Sequence, residues 1–95
     1  MSNMANPVHP GRVLKEEIEV RGLSGNRLAL DLGVPANRIG AILNGKRAIT
    51  ADTALRLARY FGASAQFWLD LQSQYDLACA EEGHGAEIRR SVRVA

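Results

Sequence analysis

Two short segments with helical apolar spacing are separated by only Gly33-Val34-Pro35. In the first, Leu28, Ala29 and Leu32 fall on one side of a helix; in the second, Ile39 and Ile42 do the same. Gly33 can take a positive φ and so ends the first helix. Pro35 is expected to open the second at its first helical position, where the missing N–H costs nothing. A connection of about three residues is too tight for an antiparallel hairpin of long helices. It suits two short helices crossing at roughly 90–120°, the helix-turn-helix arrangement. The residues meet its demands. Ala29 is small, so the second helix can come close; Gly33 makes the turn four residues later; Ile39 and Ile42 face the core.

The flanking sequence reads as further helices of modest length. Pro10 starts one that carries Val13, Leu14 and Ile18 inward and stops at Arg21-Gly22. Ser24 is the expected N-cap of the helix that ends at Gly33, and Asn44-Gly45 closes the next. Thr50 caps a fourth helix, whose Ala51, Ala54, Leu55, Ala58 and Phe61 give its expected buried face; Gly62 stops it. Ser64 caps a fifth, with Phe67, Trp68, Leu71 and Tyr75 on one side, running to about Glu82. Gly83-His84-Gly85 is expected to break it. The tail after that break fits a short strand through Val92 and Val94 and fits a helix through Ile88 and Val92. The expected fold is therefore all-α, five helices with a short C-terminal extension. Residues 1–9 are expected to form a flexible arm, 10–82 the domain with the helix-turn-helix at about 24–44, and 83–95 the tail. With 95 residues, such a chain buries about 60–65% of its unfolded surface, enough for one modest core and too little for a large active-site cleft.

From Leu32 to Ala51 there is no acidic residue, although acids are used freely on both sides. The same stretch carries Arg38, Lys46 and Arg47. Net charge over the whole chain is only +2, so the distribution carries the information. The Ala29, Gly33 and Ile39 pattern resembles the helix-turn-helix of phage-repressor-like proteins. The longer run "LGVPANRIGAILNGKRAITADTALRLARYFG", followed by "FWLDLQSQYDLACAEE", resembles the HigA antitoxin family over roughly Pro7 to Val92. Gly40-Ala41 departs from that family's pattern, which tends to polar residues there.

A helix-turn-helix lays its second helix in the major groove, beside phosphates that repel carboxylates. Asn37 and Arg38 are expected in its first turn, where base edges are met; Arg pairs with guanine and Asn with adenine, and Arg38 could equally hold a phosphate. Ala36, Gly40 and Ala41 allow close approach. Asn44, Lys46 and Arg47 read as phosphate contacts, as do Ser24, Asn26 and Thr50 near helix N-termini. Leu69 lies off the stripe of the fifth helix, and Trp68, Leu69, Gln72 and Tyr75 are the expected homodimer interface.

Other chemistries find little support. Gly40 to Lys46 matches G-x-x-x-x-G-K, but Arg47 stands where a phosphate-binding loop needs Ser or Thr, and Gly40 lies inside a helix. His9, His84 and Cys79 are isolated, so no catalytic or metal site and no cofactor is expected. Glu16, Glu17 and Glu19 read as a solvated face, and Arg56 and Arg59 as partners of carboxylates. The lone Cys79 points to a reducing cytoplasm; neither a signal peptide nor a membrane span is expected. By resemblance, the chain is a repressor of its own promoter, binds a near-palindromic operator as a homodimer, and neutralises a small RNA-cleaving toxin. The rival readings are a phage-type regulator without a toxin and a protein-interaction module without a DNA role.

Overall fold

A computed structural model describes residues 8–95. Five helices follow in order: α1 (Pro10–Val20), α2 (Gly25–Leu32), α3 (Ala36–Leu43), α4 (Ala51–Phe61) and α5 (Ala65–Ser91). Helices α2, α4 and α5 start where local chemistry says they should. The hydroxyls of Ser24, Thr50 and Ser64 accept from the N–H groups of Arg27 (3.0 Å), Thr53 (3.5 Å) and Phe67 (3.0 Å), which supplies donors in each first turn with a partner. Gly33 and Gly62 end α2 and α4 in the left-handed region, at φ 74° and 92°. Most of the flexible arm expected at the start, residues 1–7, lies outside the described residues. Its last member, His9, instead caps α1, its Nδ1 accepting from the Gly11 N–H at 2.9 Å.

One core joins all five helices: Leu14 and Ile18 from α1, Leu28, Ala29 and Leu32 from α2, Ile39 and Ile42 from α3, Ala54 and Leu57 from α4, Trp68 from α5, and Ile49 from the loop before α4. At Gly11, a Cβ would collide with the carbonyl of Ile42. Only glycine lets the start of α1 press against the end of α3, and this contact seats the second helix of the pair.

Four expectations need correction. Pro35 is the N-cap of α3, in extended backbone (φ −62°, ψ 145°), and Ala36 is the first helical residue. The buried side of α4 is Thr53, Ala54 and Leu57, whereas Leu55 is 64% exposed. Successive residues turn about 100° around a helix axis, so a face centred on Leu57 excludes Leu55. Helix α5 does not break at Gly83-His84-Gly85 but runs to Ser91, so the tail is largely helical and only Val92 onward leaves it. Neither Gly83 nor Gly85 takes a positive φ; the Glu81 side chain folds over Gly85 and accepts from Arg89 Nη1 at 2.6 Å. Arg89 and Arg90 in the last turn complement the helix dipole.

The fourth correction concerns the expected dimer seam. Trp68 is 1% exposed within this one chain and packs between Phe61 and Phe67. Gln72 is also buried: its Oε1 accepts from the Ile49 N–H at 2.8 Å and its Nε2 donates to Asp76 at 3.0 Å. Both side chains are spent inside the protomer. Leu69 and Tyr75 remain half-buried.

Candidate nucleic-acid interface

The turn between α2 and α3 is closed by backbone bonds from Gly33 N–H to the Leu30 carbonyl (3.2 Å) and from Val34 N–H to the Ala29 carbonyl (3.0 Å). Val34 packs on the core, Ala29 is buried, and Ile39 and Ile42 have no exposed surface. With that side of α3 turned inward, Asn37, Ala41 and Asn44 share the opposite side at i, i+4, i+7 spacing. Asn37, Asn44 and Ala36 are exposed; Gly40 and Ala41 are half-buried. A Cβ at Gly40 would meet nothing within 4 Å, so packing inside the protomer does not require this glycine. What its absent side chain leaves is a bare helix surface. At the far end, Gly45 takes φ 74° and Lys46 N–H donates to the Ala41 carbonyl at 2.9 Å. This closure sends Lys46 and Arg47 into solvent, both exposed. Asn26 and Thr50 are exposed at the first turns of α2 and α4, and Ser24 is exposed while serving as a cap.

The two acids that bracket the acid-free stretch are both engaged. Asp31 accepts from Tyr60 Oη at 2.8 Å and pairs with Arg27 at 3.2 Å; donating to that carboxylate raises the Tyr60 hydroxyl above its ordinary pKa. Asp52 Oδ2 accepts from Arg56 Nε at 3.0 Å and from Arg38 Nη1 at 2.9 Å. The Arg56 hydrogen bond is the largest cause holding the Asp52 carboxyl below its ordinary value, and the Arg38 bond adds to it. Arg38 therefore does not stand out beside Asn37. Its side chain is 25% exposed and lies toward α4. Arg56 pairs with a carboxylate as expected, whereas none of the ion pairs among the described residues involves Arg59. Among the described residues no group of His, Cys, Asp or Glu could hold a metal ion, and no helix is long and apolar enough to cross a membrane.

A helix-turn-helix family model matches residues 14–68, from the core of α1 to Trp68. A solved HigA-family addiction-module antidote protein from Coxiella burnetii is 49% identical, covering 94% of this chain and 98% of that one, with a TM-score of 0.90. The chain belongs to the HigA family of helix-turn-helix proteins. Within that family it is similar to the Pseudomonas aeruginosa antitoxin HigA, solved with the higBA promoter: 42% identity, 93% and 97% of the two chains covered, TM-score 0.90. It is also 53% identical over 76 residues to Virulence-associated protein I of Dichelobacter nodosus, covering 79% of this chain and 70% of that protein.

Three residues that shape this HigA-family surface carry little or no signal in the sequence. Asp52 reads there as an ordinary acid in a first helical turn, favourable to the dipole; nothing local announces that it reaches α3. Gly11 looks like any small residue near a helix start. His9 is not a preferred N-cap type, although its place just before Pro10 is a usable signal.

Proposed function

We propose that this chain is a sequence-specific DNA-binding repressor of its own promoter and the antitoxin of a type II toxin–antitoxin pair. One observation carries the reading: an exposed, acid-free α3 face in a chain that matches, over nearly its full length, an antitoxin solved with promoter DNA. Helix α3 enters the major groove. Asn37 meets base edges, with Ala36, Gly40 and Ala41 allowing close approach. Asn44, Lys46 and Arg47 hold phosphates at one end, and Ser24, Asn26 and Thr50 hold them at helix N-termini. The family is one of DNA-binding regulators, not of enzymes.

One protomer makes few phosphate contacts, so the active form is a homodimer reading half-sites about 34 Å apart on a near-palindromic operator. The seam is the side of α5 on which half-buried Leu69 and Leu77, 65% exposed, share one surface with Ser73 and Ala80; Tyr75 points to another side of the helix and packs against His9. The second partner is a small RNA-cleaving toxin encoded beside it, and the compartment is the cytoplasm. Footprinting on the region upstream of its own gene tests the DNA reading. Protection of two half-sites on one face of the duplex is expected, with affinity falling steeply as salt rises. Absence of protection at low salt overturns it. Co-expression with the neighbouring gene product tests the toxin: a complex that survives purification is expected.

A further inference from the structure

Arg38 occupies the first turn of α3, one position past Asn37, yet it is rotated about 100° away from it, toward α4. Its Nη1 donates to Asp52 Oδ2 at 2.9 Å, and its Nε is enclosed without a partner. The same Asp52 oxygen accepts from Arg56 Nε at 3.0 Å, while Arg56 Nη1 donates to the Leu32 carbonyl at 2.8 Å. One carboxylate thus ties the first turn of α3 to the first turn of α4 and, through Arg56, to the last turn of α2.

This geometry restricts what Arg38 can offer DNA. A guanidinium presents two forks of N–H donors, Nη1 with Nη2 and Nη2 with Nε. Bidentate pairing with guanine uses both donors of one fork, toward two acceptors, O6 and N7. The second fork has its Nε enclosed. The first carries Asp52 on Nη1, so a guanine there would set its acceptors beside a carboxylate. Asp52, held against that fork, therefore disfavours a guanine there by repelling its O6 and N7 acceptors.

We infer that Asp52 and Arg38 form a positioning pair for DNA recognition: they fix the angle at which α3 meets the duplex and withhold Arg38 from the bases, leaving base discrimination to Asn37 and its bare neighbours. This rests on the reading that α3 enters the groove. A tilt of α3 would disturb contacts along the whole half-site, whereas loss of a base-reading side chain relaxes one position.

Selection of binding sites from a random duplex pool separates these outcomes, using the full-length chain and the variants Asp52→Asn, Arg38→Gln and the double variant. The wild-type chain is expected to select a consensus. Each single variant should bind that consensus about fivefold more weakly, within the range of exposed ion-pair networks, and spread its preference over several positions. The double variant should be no worse than either single one, because the two residues act as a unit. Asp52→Asn should bind random duplex within about twofold of wild type. If Asp52→Asn does not fold, Arg38→Lys decides; it keeps the charge, loses the fork, and should show the same spread. The inference is overturned if Asp52→Asn binds the consensus as tightly as wild type or tighter, or if Arg38→Gln relaxes a single base pair. A wild-type chain that selects no sequence overturns the DNA reading, and the pair's role with it.

Discussion

Single side chains set how firmly α3 is held. Gln72 on α5 is buried, and its amide oxygen takes the backbone N–H of Ile49, just before α4. Gln72→Leu keeps the volume but strands that N–H, so it should cost about 1–3 kcal/mol, read as a lower urea midpoint. Asp52 gives a pH signature. Its carboxyl titrates below the ordinary 3.8 in the folded chain, held there by Arg56 first and Arg38 in addition. A depressed folded pKa means the unfolded chain takes up its proton first as pH falls. The stabilisation is therefore full above the ordinary carboxylate value and is lost as pH drops through the lower folded one. Urea midpoints of wild type and Asp52→Asn across the acid range should differ at neutral pH and converge in strong acid; a constant gap would refute the assignment.

At the scale of elements, α5 is the outlier. Its 27 residues span about 40 Å, much of the 48 Å long axis of the molecule. Its first half carries Trp68 into the core, while most of its second half is exposed. Helical order there rests on local bonds such as Glu81–Arg89 rather than on core burial. Gly83 is the weak point: it is helical, exposed and has open space where a Cβ would go. Gly83→Ala should raise helix content and stability by about 0.5–1 kcal/mol, visible in circular dichroism melts. The same change at Gly33 should do the opposite, since φ 74° is strained for a side chain.

For the whole molecule, the proposed dimer predicts a coupling between α5 and DNA affinity. Leu77→Glu places a charge on the outer side of α5, far from Asn37 in sequence and on a side chain already 65% exposed. It should leave the protomer folded, shift the mass in light scattering from two chains to one, and weaken operator binding by halving the phosphate contacts. A monodisperse dimer that persists in this variant would move the seam elsewhere.

Much of this architecture is written locally. Ser24, Thr50, Ser64, Gly33 and Gly62 mark helix ends because capping and positive φ involve residues within one turn of each other, and the Leu28–Ala29–Leu32 and Ile39–Ile42 spacings suffice for the crossing pair. What the linear chain left open depends on neighbours distant in sequence. The buried side of α4 was settled by its packing against α5 and α2, not by its own spacing. Gly83 and Gly85 carried on as helix because αL capping did not set in there. Arg38 and Asp52 lie fourteen residues apart; their union exists only once α3 and α4 have packed, and no periodicity reports a contact that folding alone brings about.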